Sequence, residues 1–162
     1  MKLPRFLTAA ALVLSVGACS DGTGPGDGDN SLDATIAGEA GFDPSAEFVG
    51  GTYINNNLSI QASHTSGGKT VTIQINLPGI TGEDDVTLNQ NVAGQFAQVS
   101  VLLNGQLSTW TTAITPGTGT VNVTTLTATR AAGTFSFTGQ ASPGTGATGT
   151  QVVSSGSFDI EF

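Results

Sequence analysis

The chain has 162 residues, 38% of them hydrophobic and only 10% charged, and twelve acidic side chains against four basic ones give it a formal net charge of −8. Lys2 and Arg5 are two of those four, so the rest of the chain sets Lys69 and Arg130 against all twelve carboxylates. Such a surface repels phosphate, which excludes nucleic acid as an expected partner and makes anionic head groups unattractive.

After its basic start the chain runs apolar from Leu7 to Val16. That run is too short to cross ~30 Å of hydrocarbon, which takes about 20 residues, but it suits the apolar region of an export signal. Val16, Gly17, Ala18 and Cys19 follow, with small residues placed before the only cysteine. The stretch resembles the bacterial lipobox, with Val where Leu is commoner and Gly at the next position. By that resemblance residues 1–18 are a signal peptide, and Cys19 is the first mature residue, its sulfur carrying a diacylglyceryl group. It implies a protein of the bacterial cell envelope, with the outer membrane as the expected site. Attachment then rests on acyl chains, each buried methylene contributing about 0.8 kcal/mol, so that two or more chains anchor firmly. With its sole cysteine lipidated the chain has no disulfide, and stability must come from packing.

Residues 19–30 are the lipidated cysteine and a tether of Gly, Asp, Ser, Thr, Pro and Asn. Glycine-rich coil of eleven residues spans roughly 18–20 Å, enough to hold a folded domain clear of a bilayer. Asp27, Asp29 and Ser31 alternate as in an EF-hand loop, but Leu32 and Gly38 stand where that loop needs Gly and Glu.

From residue 31 to 162 the pattern is that of one β domain. Leu58, Ile60 and Ala62 alternate with Ser59, Gln61 and Ser63, and Val71, Ile73, Ile75 and Leu77 alternate with Thr72, Gln74 and Asn76. This period of two puts aliphatic side chains on one sheet face and amides and hydroxyls on the other. Gly67-Gly68, in the polar stretch His64–Lys69, predicts an antiparallel hairpin between the two runs. Further strands are predicted near Leu32–Ala37, Ala46–Val49, Val86–Leu88, Phe96–Leu103, Leu107–Ala113, Thr120–Thr127, Ala132–Gly139 and Gln151–Phe162. No stretch has helical periodicity, and Pro-Gly and Asn-Gly pairs punctuate the runs. The expected fold is an all-β antiparallel sandwich, with a small up-and-down barrel as the alternative.

Gly133-Thr-Phe-Ser-Phe137 and Gly156-Ser-Phe-Asp-Ile-Glu-Phe162 read as two arms of one hairpin. Pairing Phe135 with Phe158 sets Phe137 over Gly156 and Ile160 over Gly133, so that each glycine lies beneath a large side chain. Together with Leu32-Asp-Ala-Thr-Ile-Ala-Gly38 and the middle strands, this resembles a family of short bacterial lipoproteins carrying a domain of unknown function of the DUF series. The resemblance covers most of residues 32–162. It implies an all-β envelope domain and supplies no catalytic or binding residues.

Four groups of residues invite a chemical reading. His64, the only histidine, is expected in a solvated turn without the elbow serine or free cysteine that a nucleophilic triad requires. Glu83-Asp84-Asp85 reads as a charged loop, able to hold Ca²⁺ only if acids such as Asp43 or Glu47 converge on it. Gly144-Thr-Gly-Ala-Thr-Gly149 matches a dinucleotide fingerprint by letter, but the Gln151-Val152-Val153 that follows reads as strand rather than helix. Trp110 and Tyr53, single members of their kind, are the aromatics suited to a binding face. The expectation is a non-enzymatic envelope domain with a structural or binding role and with no cofactor or metal. Its alternatives are a glycan- or protein-binding module using exposed aromatics and a carrier of a small apolar ligand. Its oligomeric state is left open.

Overall fold

The computed structural model describes residues 30–38 and 48–162, and it is built of ten antiparallel strands with no helix among those residues. They are β1 (Ser31–Ile36), β2 (Phe48–Ile54), β3 (Asn57–Ser66), β4 (Lys69–Pro78), β5 (Asp84–Leu88), β6 (Phe96–Leu103), β7 (Gln106–Thr111), β8 (Thr118–Leu126), β9 (Arg130–Ala141) and β10 (Thr150–Glu161). One leaf has the order β2-β3-β4-β6-β7 and the other β5-β8-β9-β10-β1. They join where Trp110 and Thr111 of β7 pair with Ala141 and Gln140 at the end of β9. The all-β sandwich is therefore one continuous sheet folded over on itself, nearly closed into a barrel.

Three two-residue turns shape the first leaf. Asn55-Asn56, Gly67-Gly68 and Asn104-Gly105 all have positive φ at both positions, the primed geometry whose twist matches that of the strands it joins. Alternation then sends Leu58, Ile60, Ala62, Ile73, Ile75, Leu77, Ala97 and Val99 inward, all fully buried. From the second leaf Leu32, Val121, Phe135, Val153 and Ile160 meet them in a single core. Among the described residues, every buried core residue lies between Leu32 and Ile160.

The structure corrects several sequence expectations. The second strand runs over Phe48–Ile54 rather than ending at Val49. Gly50 and Gly51, beyond the predicted end, pair with Gln61 and Ile60 in the ladder. His64 lies on β3 opposite Val71, half-buried, and not in a solvated turn. Asp84 and Asp85 belong to β5, opposite Val123 and Asn122, rather than to a loop. In the C-terminal hairpin Phe158 pairs with Gly133 and Phe135 with Gly156, two residues away from the expected register.

One ion pair marks the end of the sandwich where the chain enters. Asn30 Oδ1 accepts a hydrogen bond from the Glu161 amide (2.6 Å), and Arg130 reaches Asp159 with two guanidinium nitrogens. The hydrogen bond from Arg130 holds the Asp159 carboxyl below its ordinary value, and burial opposes the shift. Because the folded-state pKa is depressed, this stabilisation is fully present above the unfolded-state value of about 3.9 and is lost as pH falls through the folded one. Both side chains are exposed, so the effect is small. In denaturant titrations between pH 6 and pH 2, Asp159→Asn should lower stability slightly at the upper end and converge with the parent at the lower.

Candidate functional site

Charge is divided unequally between the two leaves. No acidic or basic residue occurs between Asp85 and Arg130, and Lys69 is the one charged side chain on the five strands of the first leaf. Its outer face is an array of amides and hydroxyls. Gln61, Gln74 and Gln98 stand in one row, where Gln98 Nε2 donates to Gln74 Oε1 (2.9 Å), and Ser63, Thr72, Ser100 and Thr109 stand in the next. Asp33, Asp84, Asp85, Arg130, Asp159 and Glu161 all belong to the second leaf.

Trp110 is on β7 opposite Val99, facing inward and half-buried against the core. The loop from Ser142 to Gly149 runs along β7 and fixes it there. The Ser142 and Gly146 amides donate to the carbonyls of Thr109 and Leu107 (both 2.8 Å), and the indole Nε1 donates to the Thr148 carbonyl (3.1 Å). Toward the Asn104-Gly105 turn the second leaf no longer covers this face. Trp110, Val101, Leu103, Asn104, Gln106 and Ser108 there line an open concavity of about 230 Å³. Leu103, which lines it, is 44% exposed. Val101 and Leu103 beside the indole give the concavity an apolar floor rimmed by uncharged polar side chains, the composition of a protein-contact surface, while Leu102 and Leu107 pair on the opposite, outer face of the leaf.

The Trp110 concavity lies at the end of the first leaf opposite Asn30. Tyr53, at the other end of that leaf, stacks on Phe162 at 6.3 Å and donates its hydroxyl to the Ile80 carbonyl (3.0 Å). Of the two aromatics expected on a binding face, Trp110 reaches a concavity, while Tyr53 secures the C-terminal strand.

A second open groove, about 410 Å³, crosses β8, β9 and β10 and is lined by Thr120, Asn122, Thr134, Ser136, Ser155 and Ser157 over Phe135 and Gly156. Asp85 accepts a hydrogen bond from Asn122 at its margin. The groove exists because β10 carries one extra residue between Val153 and Gly156, with Ser155 at φ +51°.

The remaining candidates are dispersed. His64 is on β3, and its buried Nδ1 makes no hydrogen bond among the described residues. Among those residues no three His, Cys, Asp or Glu side chains converge in a way that could hold a metal ion. Cys19, Asp27, Asp29, Asp43 and Glu47 lie outside the described residues, and Ser31 is on β1. The Gly144–Gly149 segment joins β9 to β10 and opens no helix. No protein-family model, curated protein or solved structure matches the chain. Leu103 escaped the sequence reading because it falls within an apolar strand run, and only the ending of the second leaf leaves it uncovered.

Proposed function

We propose that this protein is a non-enzymatic bacterial lipoprotein, anchored to the cell envelope through Cys19, which binds a partner protein at the Trp110 concavity. The observation that carries this reading is the half-buried indole beside the exposed Leu103 and a rim of Asn104, Gln106 and Ser108. Tryptophan in a partly desolvated pocket is the residue type that most often dominates binding energy. Chain entry at Asn30 and the concavity at the opposite end suit a domain that presents this patch away from its anchor. A volume of about 230 Å³ holds one inserted side chain rather than a drug-sized ligand, which needs about 300 Å³ or more. Neither groove is an enclosed chamber, so a carrier of apolar ligands has less support.

The anchor and the patch have separate tests. Intact mass of the membrane-extracted protein should show a diacylglyceryl group on Cys19, and an unmodified thiol there would remove the anchor from the proposal. A photo-crosslinking residue at Leu103 should give a discrete protein adduct in whole cells, and one at Thr87, on the second leaf, should not. Gln106→Arg, which sets a charge on the rim, should weaken that adduct by about tenfold or more, the equivalent of about 1.4 kcal/mol. Saturable quenching of Trp110, the only tryptophan, by neutral oligosaccharides with no adduct at Leu103 would replace the protein partner with a glycan.

A further inference from the structure

The three sheet edges among the described residues differ in kind. β1 and β5 have six and five residues and carry Asp33, or Asp84 and Asp85, the short charged construction that discourages edge-to-edge pairing. β2 has seven residues, Phe-Val-Gly-Gly-Thr-Tyr-Ile, with no charge and no proline. It pairs with β3 on one side, and its backbone pairs with no other strand among the described residues. Phe48 and Ile54, at its two ends, are 52% and 63% exposed, the highest values among the exposed large hydrophobic side chains of the described residues.

Phe48, Gly50, Thr52 and Ile54 share the outer face, and Gly51 lies midway between the two exposed side chains. An antiparallel two-fold through Gly51 therefore sets Phe48 of one copy opposite Ile54 of the other, twice. An aromatic residue opposite a β-branched one is among the favourable cross-strand pairs. It also sets Gly50 opposite Thr52, so nothing large meets anything large at the centre. The Phe48 ring already lies along its own strand beside Gly50, which leaves room for the partner's Ile54.

We infer that β2 is a self-association edge: two copies of this chain pair through it about a two-fold axis at Gly51, with Phe48 against Ile54 of the second copy. The occupant is a second copy because the edge is self-complementary and because charge leaves few alternatives for like molecules. Two strongly acidic chains repel through their second leaves, whereas β2 belongs to the leaf whose outer face is uncharged. Pairing would fuse two first leaves into one ten-stranded sheet and double the uncharged face. A single strand pair is a small contact, so the dimer is transient and forms at high local concentration.

Sedimentation of residues 20–162 from about 5 µM to about 1 mM is the test, the millimolar end being where contacts of about 4 kcal/mol become populated. The parent should pass from monomer toward dimer. Phe48→Lys and Ile54→Glu, each exposed and each keeping the parent's circular dichroism, should weaken association by more than about tenfold by burying an unpaired charge. Mixed with one another, the two variants should regain it as a heterodimer, since Lys at 48 then faces Glu at 54. A parent that stays monomeric throughout, dimers that persist unchanged in both variants, or a mixture that fails to recover each overturn the proposal.

Discussion

Phe135→Ala, Phe137→Ala and Phe158→Ala are each expected to destabilise the domain by about 3–5 kcal/mol, a fall of roughly 10–25 °C in Tm for a domain of this size. All three rings are at least 96% buried, and the Phe135 centroid lies 6.4 Å from that of Phe137 and 6.5 Å from that of Phe158. The three rings come from β9 and β10, the two strands from which β1 and β8 extend, so a cavity here loosens four strands together. Such a loss is a large share of the ~5–15 kcal/mol that holds a domain folded. Phe162→Ala should differ, because that ring is 38% exposed and touches Tyr53 rather than the core. Asp84→Ala, on an exposed edge strand, should leave the melt within a few degrees of the parent. Thermal melts that fail to separate the three core phenylalanines from these two controls would refute this account of the core.

Gly133→Ala and Gly156→Ala should also destabilise strongly, by about 1–3 kcal/mol or more, although alanine is ordinarily the better strand residue by roughly 0.5–1 kcal/mol. A Cβ on Gly156 would stand 2.5 Å from Phe135 Cε2. On Gly133 it would stand 2.8 Å from Phe158 Cζ and closer still to the Asn122 carbonyl oxygen. The Phe158 ring can shift, but the β8 backbone at Asn122 cannot move without breaking its ladder with β9. The Asn122 clash is present whichever residue of β10 lies over Gly133, so the coupling between Gly133→Ala and Phe158→Ala, and not the sign of either alone, reports the register. If Ile160 rather than Phe158 lay over Gly133, Gly133→Ala would not meet the phenyl ring, and removing that ring would not alter its cost. With the observed register, Gly133→Ala and Phe158→Ala are non-additive: the double variant costs less than the two singles together. Chemical denaturation of the four proteins decides between them.

That register marks the limit of what the sequence reading reached. Alternation in Leu58–Ala62 and Val71–Leu77, together with Gly67-Gly68, was enough to place β3, β4 and the turn between them. A shift of two residues is another matter. It keeps every side chain on its own face, so hydrophobic pattern alone cannot distinguish Phe158 over Gly133 from Ile160 over Gly133. The choice is made by the Ser142–Gly149 loop, which bonds to β7, and by the extra residue at Ser154-Ser155, where serine gives no sign of a positive φ. The strand predicted to end at Val49 continues through Gly50-Gly51, residues with little strand propensity of their own. In the fold Gly51 is a contact residue, its α-carbon so close to the Ser59 carbonyl that a Cβ would stand 2.6 Å away. Asn55-Asn56 did carry a turn signal, since asparagine tolerates the left-handed region better than other side chains. At the candidate site, Trp110 was legible as a lone aromatic, whereas the exposure of Leu103 beside it depended on where the other leaf stops.

The pairing of β1 with β10 governs when the molecule can finish folding. Asn30 meets Glu161 across 131 residues, and Leu32 sits opposite Phe158 in the ladder. A chain delivered from its amino end therefore carries β1 with no strand to pair with until the last dozen residues arrive. Contacts of such sequence separation place all-β domains among the slow folders, on the order of milliseconds to seconds. The β6–β7 and β3–β4 hairpins can form early, but the second leaf cannot close. On the proposed route through a membrane this order would be an advantage, since β1 could not complete its pairing until β10 had passed through as well.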